Sequence, residues 1–227
     1  MTRQARFVLP GHLHHVTQRG NYRQNVFQDH QDRAYYLKLI DHYAKEYKNE
    51  LYAFCLMTNH VHFIIKPQEQ ESLAQIFCRA HQQYSLYYHK KNGINGHLWQ
   101  ERFYSCLLEG SHISAAIKYV ECNPVRANLV KYAWDYPWSS ANFHLGKKYN
   151  IIHLADIKPY VTADNWKGFL DQKQPDQEID TIRKATNKGY VFGSNEYIKF
   201  LEEKYVCTLT PQIMGRPKKV VPVTTLR

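Results

Sequence analysis

His60 and His62 are residues whose type and spacing could do chemistry. They stand two apart in a run of strand-forming residues, so their side chains share a face and come close enough to hold one cation. Val61, Phe63 and Ile65 alternate with them on the opposite face. Their apolarity assigns that face to the helices and leaves both histidines on the face expected to be open. Taken alone, a His-x-His pair is more often two histidines on a half-exposed strand. Tyr119 and Asn123 form a second pair, four apart in a helical pattern and therefore one above the other. A tyrosine hydroxyl there is a nucleophile for a phosphodiester, and an Asn123 amide oxygen is a hard third ligand for a cation. The competing readings are plain: among 18 tyrosines most must pack or stack, and Asn123 also suits a helix terminator.

The elements that must position these residues follow from periodicity. His12 to Gln18 reads as a strand ending in the basic turn Arg19-Gly20-Asn21. From Asp29 to Lys48, Tyr36, Leu37, Ile40, Tyr43, Ala44 and Tyr47 recur at helical spacing. Leu51–Met57 and His60–Lys66 are β-rich runs separated by Thr58-Asn59, the pattern of an antiparallel hairpin. A second helix is expected from Glu71 to about His89, ended by Gly93 and Gly96, and Leu98–Leu108 supplies a fourth strand. The order β-α-β-β-α-β predicts an α+β, ferredoxin-like antiparallel sheet with two helices on one face. Ser111 reads as the cap of a third helix carrying Tyr119, limited by Asn123-Pro124. A domain boundary is expected near Gly146, giving residues 1–146 and a C-terminal extension, 147–227. Within the extension the polar stretch Asp171–Asp180 reads as a linker or loop, and Ser194–Lys204 as a short helix.

With 227 residues and 44% hydrophobic content, the chain has enough apolar material for a real core. Thirty Lys and Arg against 20 Asp and Glu give +10, which favours a polyanionic partner through counterion release. The five cysteines are odd in number, without a CxxC pair, and read as reduced thiols. No signal-like start and no run near the ~20 apolar residues of a membrane span is present, so a soluble, cytoplasmic protein is expected.

Three stretches together resemble one family. They are His14-His15-Val16-Thr17-Gln18-Arg19-Gly20-Asn21, Met57-Thr58-Asn59-His60-Val61-His62, and Tyr119-Val120-Glu121-Cys122-Asn123-Pro124-Val125-Arg126-Ala127. Their types and order are similar to the signatures of the HUH single-tyrosine (Y1, IS200-like) transposases, and within these the REP-associated tyrosine transposases of bacterial chromosomes. The likeness covers about residues 7 to 146 and continues weakly through Ile182-Arg183-Lys184-Ala185-Thr186. It implies a divalent ion, Mg²⁺ or Mn²⁺, held by His60, His62 and Asn123, although imidazole would also suit zinc. It also implies attack by Tyr119 on single-stranded DNA, leaving a 5′-phosphotyrosine and a free 3′-OH for rejoining. The substrates implied are single strands beside DNA hairpins, with a bacterial, nucleoid-associated location. The longer chain type implies a monomer, with a dimer as the alternative.

Arg19, Asn21 and Arg23 beside the first strand, with Arg102 and Arg126, offer donors for phosphates or base edges. Tyr22, Tyr104 or Trp99 could stack on unpaired bases or sit in the core. Gly215-Arg216-Pro217-Lys218-Lys219 resembles an AT-hook core without its preceding arginine, so Arg216, Lys218 and Lys219 are candidates for holding a hairpin stem. Two other functions compete. A two-histidine phosphoesterase would use His15-Val16-Thr17 and His112-Ile113-Ser114, but the second falls at a helix start rather than on a strand. A domesticated DNA-binding protein or repressor would keep the fold without cutting.

Overall fold

The computed structural model describes residues 6–148, 150–161 and 165–209. The basic tail residues Arg216, Lys218 and Lys219 lie outside the described residues. The first six elements are β1 (His14–Arg19), α1 (His30–Glu46), β2 (Asn49–Leu56), β3 (His60–Pro67), α2 (Ser72–Asn92) and β4 (Tyr104–Leu108). They realise the expected β-α-β-β-α-β order as a sheet β2-β3-β1-β4 whose neighbours are all antiparallel.

Local chemistry explains the element ends. Asp29 caps α1 by accepting from the Asp32 backbone N–H at 2.9 Å, and Asp32 reaches back to the Gln28 N–H at 2.7 Å. Gly93 takes the left-handed conformation (φ +63°) that ends α2. The helices cover one face, where the Phe63 ring meets Tyr36 of α1 at 6.3 Å and Phe77 of α2 at 5.8 Å. β4 is shorter than its β-rich run suggests. Residues 98–103 instead track the turn after β1: Leu98 C=O accepts from Asn21 N–H and Arg19 C=O from Gln100 N–H, both at 2.8 Å.

The remaining elements are α3 (Ile113–Glu121), α4 (Asn123–Arg126), α5 (Ala141–His144), α6 (Trp166–Asp171), α7 (Asp176–Lys188), β5 (Val191–Phe192) and α8 (Asn195–Tyr205). β5 adds a fifth strand, parallel to β4. Two expectations are corrected here. Most of the stretch 171–180 is not a loop, because α7 begins at Asp176 with acidic Asp176 and Glu178 in its first turn and buries Ile179, Ile182, Ala185 and Thr186. Nor is the second sheet face open. α3 packs on it over β2 and β3, and α7 over β4 and β1. The physical reason lies in the helices: α3 buries Ile113, Ala116, Ile117 and Val120, and α7 buries Ile179, Ile182 and Ala185, stripes that need a surface to pack on, and this sheet face supplies it. No described helix is long and apolar enough to cross a membrane.

Candidate active site

The covered face holds a half-open cavity of about 260 Å³ lined by His15, Thr17 and Arg19 of β1, His60 and His62 of β3, Tyr119 of α3, Asn123 and Arg126 of α4, and Arg183, Thr186 and Asn187 of α7, with Met57 and Ala127. The strand register places Thr17 opposite His62 and Arg19 opposite His60, so the odd-numbered residues of β1 share the histidines' face. The two histidine rings are 5.0 Å apart, and the Tyr119 ring stands edge-on to His15 at 5.5 Å and His62 at 5.8 Å.

Hydrogen-bond accounting fixes the state of the imidazoles. Burial lowers the His15 pKa to about 3 and the His60 pKa to about 4, with Arg126 and Arg19 respectively adding to the effect. Burial also holds His62 well below its ordinary value, helped by the charges of its neighbours. All three are neutral at pH 7. In α7 the Thr186 hydroxyl donates to the Ile182 carbonyl at 2.8 Å, so its oxygen is the acceptor for His15 Nδ1–H at 2.8 Å. His15 Nε2 then carries a lone pair, and His62 Nδ1–H donates to it at 2.9 Å. The lone pair of His62 is therefore on Nε2. Asn59 settles His60 in the same way. Its amide nitrogen donates to the Arg23 carbonyl at 3.1 Å, leaving Oδ1 to accept from His60 Nδ1–H at 2.6 Å and placing the His60 lone pair on Nε2.

Two neutral imidazoles with their outer nitrogens held are a fitting start for a divalent-ion site. Among the described residues no group of three His, Cys, Asp or Glu side chains gathers to hold a metal, so a third protein donor for such an ion would have to be of another type. Asn123 lines the cavity, and its Nδ2 is buried with no partner. The helix carrying Tyr119 does not run on to Asn123 as the spacing suggests. The backbone leaves helical values at Cys122 (φ −86°, ψ 4°), and α4 restarts with Pro124 in its first turn. Both side chains nevertheless reach the same cavity.

The cavity wall carries Arg19, Arg126 and Arg183 and no carboxylate, a lining suited to an anion. The Arg126 guanidinium lies 4.3 Å from the Tyr119 ring centre and donates through one terminal nitrogen to the Tyr119 carbonyl. Its Nε and other terminal nitrogen are buried without a partner, donors that an incoming phosphate oxygen would satisfy. α3 is anchored beneath by buried Glu121, which accepts from Trp166 Nε1 at 2.9 Å and lies against Ser140 and His144.

Not every residue singled out from sequence reaches this cavity. Asn21 and Arg23 form the turn beside it, and Arg102 faces a separate depression of about 200 Å³ with Arg6 and Lys188. Trp99 is core, whereas Tyr22 is 94% exposed. His112 packs on Phe192 at 4.8 Å instead of joining His15, which removes the two-histidine phosphoesterase geometry. Sequence reasoning missed Arg183 and Thr186 as site residues, and His15 as more than part of a motif. The three-residue spacing of Arg183 and Thr186 on one helix was the available signal.

Comparison with known proteins identifies the family. The sequence model of the family described as "Transposase IS200 like" matches residues 10–123, half of the chain. A Haemophilus influenzae protein named as a REP-associated tyrosine transposase is 23% identical over 170 residues, covering 65% of this chain and 87% of that protein. The solved structure of a REP-associated tyrosine transposase bound to a REP hairpin superposes with a TM-score of 0.55 at 19% identity, covering 69% of this chain and 93% of the other. At that identity the likeness concerns the fold.

Proposed function

The chain belongs to the IS200-like transposase family, and on that premise we propose that it is a divalent-metal-dependent single-stranded DNA transesterase that nicks and rejoins DNA beside REP-type hairpins. The observation that carries this reading is the gathering of Tyr119, two Nε2-free neutral histidines and three arginines along one cavity without a carboxylate.

His60 and His62 through Nε2, with the Asn123 amide oxygen, would hold Mg²⁺ or Mn²⁺, whose further ligands would be hard oxygens. When bound, the ion supplies Lewis-acid polarisation of the scissile phosphate. Arg126, with two unpartnered nitrogens, binds a non-bridging phosphate oxygen and balances the charge that grows in the transition state. Arg19 and Arg183 position the strand on either side. The Tyr119 oxygen forms a bond to phosphorus and gives up its proton to bulk water. The bond from phosphorus to the 3′ oxygen breaks, and that oxygen takes up a proton as the free 3′-OH. The product, a 5′-phosphotyrosine, keeps the ester for reversal or strand transfer. The hairpin substrate is supported by the REP hairpin in the similar structure.

The test is incubation of wild type and Tyr119→Phe with end-labelled hairpin oligonucleotides bearing unpaired flanks, with Mn²⁺ or EDTA, followed by denaturing gels. A metal-dependent covalent adduct that disappears in Tyr119→Phe is expected. Tight binding without an adduct by either protein would replace this reading with that of a hairpin-binding repressor.

A further inference from the structure

The turn between β1 and α1 holds an aromatic residue that packing does not account for. Tyr22 is 94% exposed, yet its backbone is left-handed (φ 48°, ψ 26°), and Arg23 follows at φ 60°. That conformation is unfavourable for a residue with a β-carbon and is readily taken by Gly or Asn. A tyrosine here bears the strain and recovers no burial.

The turn is firmly built. Gly20 N–H donates to Asn59 C=O at 2.8 Å, Arg23 N–H to Gly20 C=O at 3.0 Å, and Gln24 N–H to Asn21 C=O at 2.9 Å. The Gln24 amide adds bonds to the His97 and Leu98 carbonyls, both at 3.1 Å. A β-carbon at Gly20 would stand 2.3 Å from the Gln24 carbonyl oxygen, so the close approach requires glycine. The ring is thus left in solvent on a hydrogen-bonded turn whose sequence also carries the exposed cations Arg19 and Arg23. Asn59 bonds both to this turn, at the Arg23 carbonyl, and to His60 in the cavity. Strained residues kept in an over-determined frame beside a site are a signature of function.

We propose that Tyr22 is a stacking platform for one unpaired nucleobase of the strand that enters the Tyr119 cavity. Arg19 and Arg23 would take the phosphates flanking that base, and the ring its π-face, a contact tolerant of base identity. This assignment rests on the DNA reading above.

The experiment measures binding in EDTA, so that cleavage plays no part. Fluorescein-labelled hairpin DNA with ten unpaired nucleotides on each side, and the same hairpin with blunt ends, are titrated by anisotropy with wild type, Tyr22→Asn and Tyr22→Trp. For the flanked hairpin Tyr22→Asn is expected to raise Kd about 5- to 150-fold, the equivalent of ~1 to 3 kcal/mol for one stacked base. Tyr22→Trp should stay near wild type, and the blunt hairpin should not distinguish the proteins. The Tyr22→Asn melting temperature should be equal or higher, which separates lost stacking from lost folding. A Tyr22→Asn protein that binds flanked DNA as tightly as wild type, or that weakens equally on the blunt hairpin, overturns the proposal. A wild type that binds neither DNA overturns the DNA reading and this one together. Binding that depends on Tyr22 while no adduct ever forms overturns only the cleavage reading.

Discussion

Asn59 has a role that its residue type alone does not advertise. Its amide is spent in both directions, donating to the turn at Arg23 and accepting from His60 Nδ1–H. Removing it leaves His60 free to change tautomer or rotate, and outer partners of metal-binding histidines are typically worth 10–100-fold in affinity. Asn59→Ala is therefore expected to weaken Mn²⁺ binding by about 10-fold or more, read by electron paramagnetic resonance titration of the free ion. Unchanged affinity would show that the Asn59 bond does not orient His60. Arg126 presents the same logic for an anion: a buried guanidinium with two orphaned nitrogens is costly in the free protein, and an arriving phosphate would satisfy it.

At the level of elements, α7 walls one side of the cavity and also sets the tautomers of its histidines. Because Thr186 gives its hydrogen to Ile182 C=O within the helix, the chain of donors through His15 to His62 can run only one way. Thr186→Val removes the acceptor for His15 Nδ1–H and should lower Mn²⁺ affinity about tenfold, whereas Thr186→Ser should restore it. Isothermal titration of both variants checks this, and equal affinities for the valine and serine proteins would disconnect α7 from the histidines. The order of the first four strands was legible from alternation and turn residues. The helix α7 was not, because Pro175 and its acidic first turn read as a polar connector until the stripe Ile179, Ile182, Ala185 is followed further along.

For the whole molecule, several histidines are buried neutral, and this makes stability depend on pH. His14, His15 and His81 are fully enclosed, with pKa values lowered by burial to about 4, 3 and 3. The unfolded chain binds protons at these groups below about pH 6.5, the native state only near their folded values, so the unfolded state is favoured as pH falls through that window. Each histidine should remove about 1.4 kcal/mol per pH unit between roughly pH 6.5 and 4. Urea midpoints measured from pH 7.5 to 5 in EDTA should fall steeply below 6.5. A flat profile would mean that these imidazoles are protonated in the native protein. The net charge of +10 acts in the same direction as acid adds further positive charge.

What the amino-acid order determined by itself is what depends on near neighbours: helix and strand periods, the shared face of His60 and His62, and the place of Tyr119 in a helix ahead of Asn123-Pro124. These are set within a few residues, by steric and apolar patterning. The tertiary structure decided which distant groups meet. His15 finds Thr186 across 171 residues, Arg183 joins Arg19 and Arg126, and the sheet face expected to be open is covered by α3 and α7. It also separated Tyr22 from Trp99, two aromatics with the same stacking capacity, one left in solvent and the other buried. Such pairings arise from the return of the chain over the sheet, which follows from total burial and register and leaves no local pattern in the sequence.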